Sequence, residues 1–138
     1  MNKTLITFFT VLFCLTSSVG WSLTFDELVH REGLYYEKFS DEPFSGKVTG
    51  KEQGLVKNGQ LDGLWITYHD NGQLWFKGMY KNGCKDGLFK EFDENGKLWS
   101  KGVRKNCGRQ GYWVYYGENG IVDTFYTGVY KDDIKISD

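Results

Sequence analysis

One segment of this chain, about two dozen residues long, is repeated three times. Each copy opens with Lys-Asn, has a glycine six residues after the lysine, and has a large aromatic residue two positions after that glycine. The copies begin at Lys57, Lys81 and Lys105, and the aromatic residues are Trp65, Phe89 and Trp113. Because a unit of this length cannot bury its own apolar face, neighbouring units must stack. The sequence therefore predicts a repeat architecture in which function is spread over a surface.

The composition favours a β-hairpin as the stacked unit. The chain has 10 Phe, 9 Tyr, 5 Trp and 18 Gly, with a single Pro. Aromatic residues favour strands, glycines favour tight turns, and the copies lack the apolar periodicity of a helix. We therefore predict an all-β fold, a single-layer antiparallel sheet of stacked β-hairpins that follows an N-terminal leader.

Asn-Gly pairs late in each copy predict where the chain turns back. A two-residue type I′ turn needs positive φ at both central positions, which Asn and Gly tolerate best. With Asn71-Gly72 as the turn centre, the predicted pairs are Tyr68 with Trp75 and Trp65 with Gly78, and in the next copy Phe92 with Trp99 and Phe89 with Gly102. An aromatic ring across a glycine covers bare backbone, so these pairs also predict the packing.

The first residues of the chain are typical of a leader. Lys3, an apolar run from Leu5 to Leu15 and a small, polar stretch ending at Gly20 predict a signal peptide over residues 1–20. The run is short for a membrane span, and the alternatives are a retained anchor, a core segment or lipidation at Cys14. A signal peptide implies export to the periplasm, the cell envelope or the medium.

The remainder divides into a cap and the repeats. Residues 21–56 are predicted to form an N-terminal cap with a degenerate repeat, since residues 33–50 keep only part of the pattern and a terminal repeat faces solvent. Thr24 and Glu27 match a capping box, which predicts one or two helical turns early in the cap. Residues 57–138 then hold three repeats and a C-terminal strand.

The third copy is irregular in length. The segment from Gly120 to Gly128 is two residues longer than the corresponding segment from Gly72 to Gly78. We expect the extra residues to form a bulge or a longer strand near Phe125.

Cys84 and Cys107 flank equivalent turns of neighbouring copies. Equivalent turns of stacked hairpins lie about two strand spacings apart, roughly 10 Å, which is too far for a disulfide unless the turns lean together. An exported protein meets oxidising conditions, so the sequence leaves open whether this pair is bonded.

Charge and chemistry exclude several classes of function. The 18 acidic residues outnumber the 17 basic ones, and the lysines form no block, which disfavours nucleic acid and strong membrane binding. The two histidines, His30 and His69, have neither metal-ligand nor nucleophile-base spacing. The sequence predicts no catalytic, cofactor or metal site, and hence no enzyme.

The second copy carries a family resemblance. Gly78-Met79-Tyr80-Lys81-Asn82-Gly83, followed by Gly87, Phe92, Asn95-Gly96-Lys97-Leu98 and Lys101-Gly102, resembles the bacterial variant of the MORN repeat, and the match runs from about residue 57 to residue 131. Departures are Arg104 in place of a tyrosine and Cys107 in place of the turn glycine. The resemblance implies stacked hairpins, and proteins of this appearance are commonly classed as antitoxin components.

Three functions remain open after these exclusions. The first is an exported, non-catalytic module that binds or scaffolds another protein, since exposed aromatic residues often anchor interfaces. Its predicted surface is Tyr68, Trp75, Phe92, Trp99 and Tyr116. The second is a module that stacks cell-wall glycans on one aromatic residue per repeat. The third, implied by the resemblance, is an antitoxin or immunity component of a toxin–antitoxin system.

Overall fold

The protein is described by a computed structural model for residues 22–138. The predicted signal peptide, residues 1–20, lies outside the described residues. Within the described part the chain forms one ten-stranded sheet and one separate two-stranded sheet, joined by turns and a single 3₁₀ turn at Phe25–Glu27. The strands are, in chain order, β1 (Leu23–Thr24), β2 (Leu28–Arg31), β3 (Leu34–Glu37), β4 (Gly46–Thr49), β5 (Glu52–Lys57), β6 (Gln60–Tyr68), β7 (Leu74–Lys81), β8 (Cys84–Phe92), β9 (Leu98–Lys105), β10 (Gly108–Tyr115), β11 (Gly128–Lys131) and β12 (Ile134–Ser137).

The large sheet confirms the predicted all-β fold of consecutive hairpins. Its spatial order is β1, then β4 to β12 in sequence, so each strand from β4 onward pairs with the next one along the chain. All of these neighbours are antiparallel except β1 and β4, which are parallel. From β4 onward the order needs no crossover connection, as expected for hairpins that stack one after another, and β1 reaches β4 by a crossover through β2 and β3.

The type I′ turns lie at the opposite end of the hairpins from the predicted end. Both central residues have positive φ at Asn58-Gly59 (48° and 76°) and at Asn82-Gly83 (50° and 76°), which join β5 to β6 and β7 to β8. The assignment of a type I′ turn to Asn71-Gly72 was therefore wrong. Gly72 alone has positive φ there, and the Oδ1 atom of Asn71 accepts the backbone N–H of Gln73 at 2.9 Å.

The longer turn shifts the pairs beside it. Tyr68 lies opposite Leu74 and Phe92 lies opposite Leu98, so the predicted partners Trp75 and Trp99 are each one residue out of register. A bulge next to each turn absorbs this shift. The glycine pairs, Trp65 with Gly78 and Phe89 with Gly102, are confirmed.

The aromatic rings cover the glycine of the preceding strand rather than the following one. A Cβ atom placed on Gly54 would overlap the ring of Trp65, one on Gly78 would overlap Phe89, and one on Gly102 would overlap Trp113. All three rings are at most 2% exposed. Each repeat thus buries its large ring against bare backbone of the strand before it, which is how a single layer excludes water.

A second set of glycines lies beside the register shifts between paired strands. The register shifts between β5 and β6, between β7 and β8, and between β9 and β10, in each case beside a glycine with positive φ. These glycines are Gly63, Gly87 and Gly111, with φ of 79°, 117° and 70°. Left-handed backbone at a bulge favours glycine, which explains its place in every copy.

The N-terminal cap closes the first end of the core. The helical segment is a single 3₁₀ turn, the shorter of the two predicted lengths, because β2 begins at Leu28. The capping prediction is confirmed, since the Thr24 N–H donates to Oε2 of Glu27 at 2.7 Å. Phe25 brings its ring to 5.8 Å from Trp65 and 5.1 Å from Tyr35, measured between centroids. The cap therefore extends the aromatic core by packing against the first full repeat.

The extra residues of the third copy form neither a bulge nor a longer strand. The strand pattern stops after an isolated bridge between Tyr116 and Val122, and the chain then makes a compact turn before β11. Asp123 shapes this turn, because its Oδ1 atom accepts the N–H of Phe125 at 2.9 Å and its carbonyl accepts the N–H of Thr127 at 2.9 Å. The prediction failed because side-chain capping by an aspartate competes with strand pairing.

Cys84 and Cys107 form a disulfide with their Cα atoms 4.8 Å apart. The expected separation of roughly 10 Å was wrong because successive type I′ turns lean together. The Cys107 N–H donates to the carbonyl of Lys85 at 3.0 Å, and Gly83 donates in the same way to Leu61 at 2.9 Å. Each turn is thus tied to the preceding hairpin, and the disulfide reinforces one such contact.

Substitution of Gly78 by alanine should destabilise the fold through packing alone. The φ of Gly78 lies outside the left-handed region, so its backbone accepts alanine, but the new Cβ would overlap the Phe89 ring. We expect Gly78→Ala to lower the free energy of unfolding by about 2–3 kcal/mol, measured by urea denaturation. The control is Gly63→Ala, where the Cβ meets open space and only the positive φ costs about 1 kcal/mol. Equal losses in the two variants would contradict the packing account.

Removal of the disulfide should cost about 3 kcal/mol of unfolding free energy, because the bond closes a loop with a sequence separation of 23 residues. We expect this loss for Cys84→Ser combined with Cys107→Ser. The φ of Cys107 is 71°, so Cys84→Ser combined with Cys107→Gly should be the more stable of the two unbridged variants. Thermal unfolding with and without a reductant measures both effects, and an unchanged melting temperature for the serine variant would contradict the first.

Candidate functional site

The two faces of the sheet differ in what they leave exposed. The inner face, which carries Trp65, Phe89 and Trp113, is the buried one. Phe76 and Tyr80 pack against both halves of this core and connect the first repeat to the later ones. Its side chains are therefore occupied in packing, and the accessible surface for binding lies on the outer face and along the turns.

The electrostatics of Tyr80 agree with this packing. Its ring lies 5.8 Å from the Phe89 ring and 6.4 Å from the Trp65 ring, between centroids. Burial disfavours the phenolate and raises the pKa of Tyr80 to about 12, and the neighbouring Tyr35 adds to the shift. The hydroxyl is thus held neutral as part of the core.

The outer face carries a continuous row of exposed apolar side chains. Leu64 lies directly opposite Met79, and Leu88 lies directly opposite Val103. All of the members are exposed, and Leu88 is 69% exposed. The apolar row consists of Leu55, Leu64, Met79, Leu88, Val103 and Tyr112. Single exposed apolar residues are ordinary, but one on each of six neighbouring strands forms a patch of the kind that marks an interaction site.

A lysine row runs beside the apolar row. Lys77 pairs with Lys90, and Lys90 pairs with Lys101, so three like charges lie side by side on β7, β8 and β9. All three are exposed, and none takes part in an ion pair within the described part of the chain. Like charges directly opposite one another are destabilising in a sheet. The row therefore presents an uncompensated positive strip.

The five aromatic residues predicted as a surface lie at one end of the hairpins. Tyr68 and Phe92 end β6 and β8, Trp75 and Trp99 are second in β7 and β9, and Tyr116 follows β10. Trp75 and Trp99 are 47% and 51% exposed, while the other three are only partly exposed. The His69 ring nitrogen Nε2 lies 2.9 Å from the Phe92 carbonyl, which ties neighbouring hairpins together at this end.

Three of these five residues line cavities, and they are divided between two cavities rather than gathered in one. Trp75 lines the first together with His69, whose ring centroid is 5.6 Å from the Trp75 ring, and with Lys51 and Asp70, which are ion-paired. Trp99 and Tyr116 line the second cavity, of about 350 Å³, and the Tyr116 N–H donates to the Trp99 carbonyl at 2.8 Å. Tyr68 and Phe92 contribute to neither of these cavities.

Two segments of the chain match the MORN repeat variant. A family model described as MORN repeat variant matches residues 61–82 and residues 85–106. Both matched segments contain the aromatic residue that covers a glycine in the preceding strand. A search among curated proteins found no significant match.

The third MORN-like copy, which begins at Lys105, lies almost wholly outside the matched segments, and it holds cavity-lining residues that sequence reasoning missed. Tyr115 and Tyr126 line the second cavity with Trp99, as does Asp123. The length difference after Gly120 was the available signal, but it gave no indication that the extra residues would fold back over Tyr115.

Residues 22–138 contain no group of three or more His, Cys, Asp or Glu side chains placed to hold a metal ion. No helix in this part of the chain is long and apolar enough to cross a membrane.

The raised pKa of Tyr80 should be visible in the stability at high pH. The unfolded-state value is near 10.0 and the folded value is about 12, so the neutral hydroxyl contributes stability below pH 10 that is lost as the pH rises toward and through 12. We expect Tyr80→Phe, which cannot ionise, to reduce the fall in unfolding free energy between pH 10 and 12. Urea titrations across this range measure the slope, and identical slopes for the two proteins would contradict the assignment.

Proposed function

We propose that this MORN-repeat protein is an exported, non-catalytic module that binds or scaffolds another protein through its outer face. The apolar row carries this proposal. It places exposed side chains on six adjacent strands of a sheet whose opposite face is already filled by aromatic rings. A patch of this kind gains free energy when a partner removes it from water.

The lysine row indicates the chemistry of the partner. Lys77, Lys90 and Lys101 lie next to the apolar row and have no acidic partner among the ion pairs of residues 22–138. An acidic surface would relieve their mutual repulsion, and charge complementarity of this type accelerates association and fixes orientation. The proposed partner therefore presents apolar side chains bordered by carboxylates.

Export is part of the proposal and rests on the leader predicted from the sequence. The disulfide between Cys84 and Cys107 supports it, because such bonds persist in oxidising compartments. The periplasm, the cell envelope and the medium all satisfy this condition. An antitoxin acting on a cytoplasmic toxin would be separated from its target by export, so we do not propose that role.

The docking proposal is tested by removing the apolar row without disturbing the core. We expect Leu64→Ser combined with Leu88→Ser to weaken capture of the partner from the native envelope fraction by at least about tenfold. Both side chains are more than half exposed, so the fold should be retained. Capture should also weaken with increasing salt and with Lys77→Glu combined with Lys101→Glu, because the lysine row is its electrostatic component.

Ile134→Ser combined with Ile136→Ser is the matched control for the leucine variant. These residues are exposed to a similar degree, but they lie in the terminal strand, away from the apolar row. The bound protein is identified by mass spectrometry in each case. Equal capture by the leucine variant, the isoleucine variant and the natural protein would refute docking on the outer face.

Glycan binding is the second candidate, and the spacing of two tryptophans favours it. Trp75 and Trp99 occupy equivalent positions in β7 and β9, two strands apart, which is roughly 10 Å. Both are about half exposed, so each ring could stack on a sugar. If the protein binds glycans, it should be retained on a column of insoluble cell-wall polysaccharide. Trp75→Ala combined with Trp99→Ala should abolish this retention, whereas Leu64→Ser combined with Leu88→Ser should preserve it. Passage of the natural protein through such a column without retention would refute glycan binding.

A further inference from the structure

The second cavity is walled by aromatic rings set at steep angles to one another. The Trp99 ring lies 5.8 Å from the Tyr115 ring at an interplanar angle of 78°, and the Tyr126 ring lies 6.0 Å from Tyr115 at 57°. Trp99 and Tyr126 thus both meet Tyr115, and all three residues line the cavity. Three electron-rich rings around one space of about 350 Å³ form an aromatic cage.

The charges around the cage are mostly negative. Glu118 and Asp123 line it, together with Asp93 and one cation, Lys97. The Lys97 ammonium donates to the Glu118 carbonyl at 3.4 Å, which places it beside the cage. Arg109 approaches from behind, where its Nη1 donates to the Tyr115 hydroxyl at 2.9 Å, but its own charge is paired with Asp133 at 3.0 Å. The cage therefore has a negative lining and one flanking ammonium.

We propose that this cage binds a trimethylammonium group, as found in choline and phosphocholine. The faces of Trp and Tyr rings attract a cation through their quadrupoles, and a quaternary ammonium has a low desolvation cost because it donates no hydrogen bond. The carboxylates strengthen the attraction to the cation. Lys97 suits a ligand that carries an anionic group next to the trimethylammonium, so phosphocholine fits better than choline.

Two of the three cage rings, Tyr115 and Tyr126, come from the third copy. Tyr115 corresponds, at the repeat spacing of 24 residues, to Glu91 in the second copy and Thr67 in the first, neither of which offers a ring. Tyr126 comes from the compact turn that replaces strand in this copy, and that turn is held against Tyr115 by the N–H of Asp123, which donates to the Tyr115 carbonyl at 2.9 Å. The Tyr115 N–H donates in return to Oγ1 of Thr127 at 2.9 Å. The departures from the repeat thus assemble the cage.

Calorimetric titration with small probes tests the proposal on the complete chain. We expect phosphocholine and choline to bind with dissociation constants on the order of 1 mM or below, and phosphocholine to bind more tightly. Dimethylbutanol, the uncharged carbon isostere of choline, should bind at least about tenfold more weakly, because it keeps the shape and loses the charge. Equal binding of the isostere, or no heat with any probe at about 50 mM, would overturn the proposal.

Variants of Tyr126 locate the site without touching the core. Tyr126→Ala removes one wall and should weaken phosphocholine binding about tenfold, whereas Tyr126→Phe keeps the ring and should retain affinity within about twofold. Tyr112→Ala is the matched control, since Tyr112 is exposed to a similar degree, 58% against 54%, and belongs to the apolar row on the outer face. A loss with Tyr112→Ala as large as that with Tyr126→Ala would place the ligand elsewhere and overturn the proposal.

Two further experiments distinguish a soluble ligand from a lipid headgroup, and ligand binding in the cage from docking on the outer face. Free phosphocholine and vesicles of phosphatidylcholine distinguish a soluble ligand from a lipid headgroup, and binding of either that is lost in Tyr126→Ala supports the cage. A soluble oligosaccharide that binds more tightly than choline and is displaced by neither ammonium probe would instead assign the cavity to sugar. Docking on the outer face is independent of the cage, because Leu64→Ser combined with Leu88→Ser should leave phosphocholine binding unchanged.

Discussion

The fold depends on one contact, an aromatic ring laid flat on a glycine of the neighbouring strand. A sheet of one layer has no second layer to shield its backbone, so the side chains themselves must cover it. Glycine makes this possible because any Cβ at Gly54, Gly78 or Gly102 would occupy the space of the ring. The contact also fixes register, since a slip of one residue would move every ring to the opposite face.

The binding surface follows from the same constraint. Because the rings occupy the inner face in every copy, the alternating positions point outward in every copy, and repetition turns one exposed side chain into a row. Leu64 and Leu88 are such a pair, 24 residues apart. Repetition also places Lys77 and Lys101 on either side of Lys90, and the repulsion between these like charges destabilises the isolated protein. A repeat array therefore accumulates both apolar area and charge on its free face.

The sequence predicted the register of the tryptophan–glycine and phenylalanine–glycine pairs but not the turns or the pairs beside them, for a physical reason. Trp65 lies opposite Gly78 while its ring covers Gly54, which only one alignment satisfies. In contrast, Asn58-Gly59 and Asn71-Gly72 both satisfy the local chemistry of a type I′ turn. The Asn-Gly pair that adopts the type I′ turn is decided by the bulge beside the other Asn-Gly pair. That bulge is a property of the assembled sheet. The cage was unforeseen for a similar reason. Tyr115 and Tyr126 meet only because Asp123 caps a turn instead of extending a strand.

The last copy shows how an array of identical units ends. Arg104 occupies the place of Tyr80 in the preceding copy, and its guanidinium lies 5.3 Å from the Trp113 ring and 5.8 Å from the Phe89 ring, so a cation–π contact replaces an aromatic one. Its charge reaches Asp133 in the turn of the final hairpin at 3.7 Å. The Arg109 N–H also binds Asp133 and, with the guanidinium groups, holds the pKa of that carboxyl below its usual range. A tyrosine at position 104 could not form this ion pair, so the departure from the repeat adds an electrostatic contact to the terminal hairpin.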